Sequence, residues 1–378
     1  MSKKLFFSAG EISGDIHAAN LMTALRKLDS SIEFFGNGGS KMIEAGLKPV
    51  SKENVTYSTV GLTDSLRFIN IQKEIWKNTV SFLEKNKVDA VILVDHQGFN
   101  IPLASFCKKM SIPVYYYFPP HVSIWGKWNA PKLSKIVNGL FIPYYDDYLV
   151  YSKYTDKAYY FGHPLVENIS NFKLEDDFFD RYGIDKKTNI VGIFPGSRFQ
   201  EIETLMPVML KAAKLLSQKY ELTFLVSVAH KDFKILIENY VKESNIRNIK
   251  VLDNMAYSIM SVSKFIIASS GTTTLESVLF EKPVIICYKI SPLSFFIGKL
   301  LVKEKMIGLP NIIMKEKFLP ELLQKDCNEN RIFEESVNFL EDRNKENFLE
   351  KVKIIKEKLG KPPIVEKVAQ HILRELYG

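Results

Sequence analysis

Cysteine is scarce. Cys107, Cys287 and Cys327 are the only three in 378 residues, far apart and in no metal-ligand spacing. A disulfide scaffold and a cysteine-based zinc site are therefore excluded, and reduced, partly buried thiols in a cytosolic protein are expected. No apolar run reaches the roughly 18 residues of a membrane span. Ile285–Val302 comes nearest and is broken by Lys289, Pro292 and Lys299. Near the N-terminus, Leu5-Phe6-Phe7 after Lys3-Lys4 is too short for a signal peptide. These absences lead us to expect a soluble or peripheral protein. GxGxxG is missing, which argues against a nicotinamide cofactor. The lysines are dispersed, with no basic arm and no zinc-finger spacing, so nucleic acid is not an expected partner. There is neither an internal repeat nor a low-complexity tract.

What is present is enough apolar material, 46%, for two cores, and a net charge of +8 that favours anionic partners such as nucleotide phosphates or acidic lipid surfaces. The clearest stretch is Ala268–Pro283. An apolar run, Phe265–Ala268, reads as a buried strand, and Leu275, Val278 and Leu279 recur at helical spacing. Ser269, Ser270, Gly271, Thr272 and Thr273 join the two. Such a turn presents unpaired N–H groups and the positive end of a helix dipole, which suit phosphate. Glu276, one turn on, is placed to accept hydroxyl hydrogen bonds from a ribose. An ordinary capped helix start is the alternative.

The same strand–loop–helix grammar recurs along the chain. Lys4–Phe7 leads into Ser8–Asp15 and a helix to Leu28, the opening of a doubly wound sheet. Glu11, Asp15 and His17 stand on its ligand side, with helix capping the alternative for Asp15 and Glu11. Ala90–Val94 is a buried strand followed at once by Asp95-His96-Gln97-Gly98-Phe99-Asn100. A carboxylate there is where open α/β sheets place chemistry, and Asp95 is the candidate general base. Capping is the alternative for Asp95 and Asn100. The segment from Val60 to Trp76 is strongly apolar, either core or a greasy rim. Gly162-His163-Pro164 looks like a junction. Domains are expected at 1–165 and 166–340, with a helical segment at 341–378 that either packs back on the first domain or is swapped in a dimer. In the second half, Asn189–Phe194 is followed by Pro195-Gly196-Ser197-Arg198 and a helix, where the Arg198 fork suits a pyrophosphate. Asn311, in Gly308-Leu309-Pro310-Asn311, is either a ligand contact or a turn cap. The fold expected is α/β, with two similar Rossmann-like halves.

The ordered blocks SAGEISGDIHAANLM, FFGNGGSKMIEAG, VGLTDSL, VDHQGFNIPLA, FGHPLVE, PGSRFQEI, ASSGTTTLE, PVIICYK and GLPNII span roughly residues 5–330 and resemble the lipid-A-disaccharide synthases. The resemblance implies a GT-B fold of two Rossmann-like domains with a cleft between them and C-terminal helices. It further implies an inverting, metal-free transfer of 2,3-diacylglucosamine from UDP to 2,3-diacylglucosamine 1-phosphate (lipid X). The sequence agrees in having no Asp-x-Asp. By position, the resemblance assigns Asp95 as base and Arg198 to the diphosphate. Gly196, Ser197, Ser270, Gly271, Thr272 and Thr273 fall to UDP phosphates and Glu276 to the ribose. Glu11, Ser13, Gly14, Asp15, His17, Asn100 and Asn311 fall to sugar or acceptor. No cofactor is implied. Attachment to the cytoplasmic face of the inner membrane is implied, and a homodimer is compatible with it. Two blocks depart from the family pattern: FPPHVSIWGKW stands for an aromatic SPxVWAWR block, and Gln97 for a proline. A UDP-GlcNAc 2-epimerase or another GT-B enzyme, which would not need acyl chains, is the competing enzymatic reading. A paralogue that binds nucleotide-sugar or glycolipid without turnover is the non-enzymatic one.

Overall fold

The computed structural model describes residues 2–51, 65–124, 126–289 and 306–378. Parts of two sequence expectations, the apolar rim at Val60–Trp76 and the run Ile285–Val302, lie outside these residues, as does most of the VGLTDSL block. At the rim's described end, Ile75 is buried and Trp76 packs edge-on against Phe99, which makes both core. No helix among the described residues is long and apolar enough to cross a membrane.

The chain divides into two compact units, residues 1–167 with 358–378, and residues 168–357. The stretch 341–378 is thus split. The helix Lys345–Lys358 belongs almost wholly to the second unit, and Val365–Tyr377 to the first.

The first unit is built on β1 (Lys4–Ala9), β2 (Glu33–Asn37), β3 (Leu47–Pro49), β4 (Ala90–Val94), β5 (Val114–Tyr117), β6 (Gly139–Phe141) and β7 (Ala158–Tyr159). They form one sheet in the order β3-β2-β1-β4-β5-β6-β7, with every pairing parallel. The runs LFFSA and AVILV read as nearly unbroken apolar sequence because helices cover both faces of a parallel sheet. Phe6, Phe7, Val91 and Ile92 are fully enclosed, each stabilising the fold by about 1.5–3 kcal/mol through burial. The last helix places Val365, Val368, Ala369 and Ile372 on one face, at helical spacing, and packs it with Leu21, Met22 and Leu25 of the helix Ile12–Leu28. Glu167 Oε2 accepts from the N–H groups of Ile364 (2.8 Å) and Val365 (3.1 Å) and so caps that helix.

The second unit has β8 (Asn189–Phe194), β9 (Leu222–Val228), β10 (Ile249–Asp253), β11 (Phe265–Ser269), β12 (Val284–Tyr288) and β13 (Glu321–Leu323), again all parallel, in the order β10-β9-β8-β11-β12-β13. In each sheet the first strand lies between neighbours reached in opposite directions. The switch points are therefore β1/β4 and β8/β11, and ligands in doubly wound sheets bind outside the carboxyl ends of the strands at such points. Glu11 follows β1 and Asp95 follows β4. Arg198 follows β8 and Ser270 follows β11.

Candidate active site

At the β1/β4 switch point, Asp95 and His96 both have left-handed backbone, with φ 49° and 46°. Two consecutive non-glycine residues in this region are strained and persist only where their surroundings fix them. Here the Asp95 carbonyl accepts from Tyr116 Oη (2.7 Å) and Asn100 Nδ2 (2.8 Å), and the Asp95 N–H donates to the Tyr117 carbonyl (3.2 Å). His96 precedes the helix Gln97–Lys109 without capping it through its side chain, so the capping alternatives for Asp95 and Asn100 are not realised. A Cβ on Gly10 would fall 2.0 Å from His96 Nδ1, so only glycine lets that ring lie against the β1 turn. Burial, then the Glu11 carboxylate, push the Asp95 carboxyl up to about 6. The His96 ring is held below its ordinary value by burial.

Three residues expected to touch sugar or acceptor are buried, and two of them, Asn100 and Asp15, are hydrogen-bonded within the unit. Asn100 is 0% exposed; its Oδ1 accepts from Ser8 Oγ (2.7 Å) and its Nδ2 also reaches the Ser8 and Val94 carbonyls, so it brackets the Asp95 turn. Asp15 is buried and accepts from the N–H groups of Gly39, Lys41 and Met42, capping the short helix Ser40–Glu44 rather than its own. Burial raises its carboxyl, against those three hydrogen bonds. His17 is enclosed and stacked on Phe118 at 4.1 Å, and burial holds it at about 4, neutral. Glu11 is exposed at the start of its helix, Ser13 is half-buried beside it, and Gly14 lies against the Val94 carbonyl and Asp95.

Sequence reasoning missed a second layer on this edge. His121, after β5, has Nδ1 2.9 Å from Asp147 Oδ2. The Ser123 N–H donates to Asp147 Oδ1 at 2.7 Å. Tyr144 packs on His121 at 4.4 Å, and its hydroxyl lies 3.2 Å from His163 Nε2. Only the concentration of histidine offered a signal: four of the chain's six, His17, His96, His121 and His163, stand on this one edge.

At the β8/β11 switch point, Gly196 has φ +124°, and a Cβ there would meet Glu201 Oε2 at 2.4 Å. Glu201 Oε2 accepts from the Ser197 N–H (3.1 Å), while Oε1 accepts from Arg198 Nη1 (3.1 Å). The Arg198 side chain is half exposed at the N-terminus of the helix Phe199–Ser217. Alongside, Gly271 starts the helix Thr272–Leu279, and a Cβ at Gly271 would meet nothing within 4 Å. The first-turn N–H groups of a helix have no acceptor within it, so this open N-terminus with Thr272 and Thr273 half-buried beside it suits an anion. Tyr257 Oη donates to Glu276 Oε1 at 3.0 Å, and burial pushes the Glu276 carboxyl up to about 7.

Asn311 takes the turn-capping alternative. It is 0% exposed and saturated: Nδ2 donates to the Leu319 carbonyl and to Glu321 Oε1, and Oδ1 accepts from the N–H groups of Phe318 and Leu319. Buried Glu321 also accepts from the N–H groups of Ile307 and Gly308, and the Ile307 carbonyl accepts from Ser270 Oγ at 3.0 Å. Asn311 and Glu321 thus brace the turn that holds Ser270. A cavity of about 820 Å³ in this unit, lined by Asn189, Lys264 and Pro283, opens at the opposite ends of the strands, away from these groups.

The family model for lipid-A-disaccharide synthetase matches residues 5–375. A lipid-A-disaccharide synthase of Persephonella marina is 36% identical, covering 99% of this chain and 99% of its own, and one from a Sulfurihydrogenibium species is 35% identical over 99% and 98%. Among solved structures, Staphylococcus aureus MnaA with UDP covers 100% of this chain and 97% of its own at TM-score 0.67 and 14% identity, a likeness of fold alone. The fold is GT-B, two Rossmann-like domains with C-terminal helices. With both switch points furnished as above and the likeness in sequence running end to end, the chain belongs to the lipid-A-disaccharide synthase family and is a glycosyltransferase.

Proposed function

We propose that the protein moves 2,3-diacylglucosamine from its UDP carrier to the 6-hydroxyl of 2,3-diacylglucosamine 1-phosphate, inverting the anomeric centre and releasing UDP. Asp95 accepts the hydroxyl proton as the oxygen attacks C1 and the C1–O bond to the diphosphate breaks. A carboxyl held near 6 is ionised at neutral pH yet basic enough to take that proton. In the second unit, Arg198 and the N–H groups at Gly271–Thr273 stabilise the departing diphosphate. Gly196 and Ser197 shape the phosphate turn, and Glu276 Oε2 receives the ribose hydroxyls. Glu11 and Ser13 face the acceptor.

The observation that carries this reading is the end-to-end sequence match to synthases, against a likeness of fold alone to a UDP-binding neighbour. The test is incubation with UDP-2,3-diacylglucosamine and 2,3-diacylglucosamine 1-phosphate, followed by mass spectrometry. A disaccharide phosphate and UDP are expected. Turnover of unacylated UDP-GlcNAc to an epimer would favour the epimerase reading, and UDP binding without product the non-catalytic one.

Both substrates are lipids, so the protein works at the cytoplasmic surface of the inner membrane, drawn there in part by its +8 charge. Flotation with anionic liposomes should weaken as the Debye length falls from about 10 Å at 0.1 M salt to about 3 Å at 1 M. A homodimer is part of this reading and is checked by sedimentation.

A further inference from the structure

Asp147 is 1% exposed, and among the described residues its only ionic partner is His121. One carboxylate oxygen is occupied by the Ser123 N–H and the other by His121 Nδ1. A buried carboxylate on Nδ1 fixes the tautomer, leaves Nε2 as an acceptor and stabilises the imidazolium formed when Nε2 takes a proton. The other histidines on this edge are unsuited to that task. His17 is held at about 4 by burial, and burial lowers His96 as well. His163 is enclosed; its Nδ1 accepts from the Leu165 N–H, so Nε2–H points to Tyr144, and burial keeps it well below its ordinary value. His121 alone of the four combines a carboxylate partner with an opening to solvent, its side chain being 29% exposed.

His121 follows β5, which pairs with β4 through Tyr117 and Val94, the residues just before the His121 and Asp95 turns. Asp147 at 2.9 Å and the Tyr144 ring at 4.4 Å pack against it, and Asp95 and His163 lie within reach of its charge. Once protonated, His121 draws the Asp95 carboxyl downward, against the larger effect of burial.

We propose that the Asp147–His121 pair is a proton outlet of the acceptor site, receiving at His121 Nε2 the proton that Asp95 removes from the attacking hydroxyl. The inference rests on Asp95 being the base. The acceptor O–H bond breaks toward Asp95, the new glycosidic bond forms as the bond to UDP breaks with its electron pair, and the proton passes from Asp95 to His121 and on to water. Asp95 is thereby restored for the next turnover with no further reactant.

The test uses His121→Gln, which keeps a donor for Asp147 but does not titrate, with Asp147→Asn, their double variant and Asp95→Asn in the same assay. His121→Gln should lower kcat at pH 7 about tenfold or more, the low end of proton-transfer assistance. UDP affinity and melting temperature should hold. The kcat–pH profile should change shape, added imidazole should restore rate to His121→Ala, and the double variant should lose little more than either single one. Normal kcat with an unchanged profile in His121→Gln overturns the outlet while leaving Asp95 as base. A raised KM and lowered melting temperature with an unchanged profile also overturns it, in favour of a structural role. Normal transfer by Asp95→Asn removes the base itself, and the outlet with it.

Discussion

The turn after β4 and the turn after β11 occupy equivalent places in their sheets and are built in opposite ways. The first sets two non-glycine residues in left-handed backbone and ties them down with side chains, Asn100 and Tyr116 both donating to the Asp95 carbonyl. The second turns on Gly271, with open space where a Cβ would stand, and offers backbone N–H groups at a helix start. Histidines and carboxylates crowd the first edge, while threonines and one half-exposed arginine furnish the second. A turn that must hold a proton acceptor in one orientation needs side chains and tolerates strain. A turn that must receive a phosphate needs its own backbone exposed. In the proposed reading proton transfer belongs to the first unit and charge neutralisation to the second, and each variant below should damage one function and spare the other.

The sharpest break is Asp95→Asn. The amide fills the same space and cannot take the hydroxyl proton, so transfer should fall roughly 10²–10⁴-fold, about 2.7–5.5 kcal/mol in barrier. UDP affinity by calorimetry should be unchanged. The variant should also be the more stable protein above pH 7. The folded-state carboxyl, near 6, lies above its unfolded value, so the protonated form favours folding. That stability is complete below about pH 4 and is lost as pH rises through about 6, whereas an amide loses nothing. The gain in the variant should be on the order of 1–2 kcal/mol by denaturant titration at pH 8, after allowance for partial exposure. For the wild type, kcat should rise with pH through about 6.

Next is Arg198→Ala, which removes charged hydrogen bonds worth roughly 1.5–3 kcal/mol, or about 10–150-fold in UDP affinity. The Glu201 pairing and the exposure of the arginine place the effect toward the lower figure. Unchanged UDP affinity would take Arg198 out of the donor site and undo the assignment of charge neutralisation to this turn.

Asn100→Ala and Asn311→Ala form a matched pair. Each strands buried partners, so each should cost about 1–3 kcal/mol or more of stability. Per folded molecule, Asn100→Ala should lower kcat, because the Asp95 carbonyl loses one of its two side-chain donors. Asn311→Ala should instead weaken UDP, because the brace behind Ile307 and Ser270 loosens. The same kinetic defect in both would mean the two turns are not functionally separate.

These asparagines also mark how far the chain was legible. Both are distinguishable in sequence as polar residues next to a strand end or a turn, but not what they bond. Asn100 meets Ser8 across 92 positions, and Asn311 meets Glu321 only after β13 has docked on the sheet. The strands AVILV and FIIAS were readable because parallel strands covered on both faces become unbroken apolar runs. β3 and β13, three residues each at sheet margins, carry no such run. Asp95, Arg198 and Gly271 stand out in the sequence because each falls just after a strand at a switch point, where doubly wound sheets bind ligands. His121 and Asp147 could not, since their pairing joins the loop after β5 to the helix Tyr145–Tyr151 through a contact only the tertiary fold creates.

The smallest expected effect is that of Tyr257→Phe. Tyr257 Oη donates to Glu276 Oε1 and favours the ionised carboxylate, opposing the burial that raises it to about 7. Without the hydroxyl, the Glu276 carboxyl moves higher still, and a larger share of it is protonated at pH 7. A protonated carboxyl has lost acceptor capacity for the two ribose hydroxyls, so UDP binding should weaken, by only a few-fold since one neutral hydrogen bond contributes about 0.5–1.5 kcal/mol. The sign with pH separates this from a packing defect. At pH 9 Glu276 is ionised in both proteins and their affinities should converge, while near pH 7 they should differ most. Calorimetry across that range decides it. A deficit that stays constant with pH would mean that Tyr257 acts by packing against Phe172 and Phe280, its ring neighbours at 5.7 and 5.3 Å, and that the Glu276 carboxylate does not govern UDP affinity.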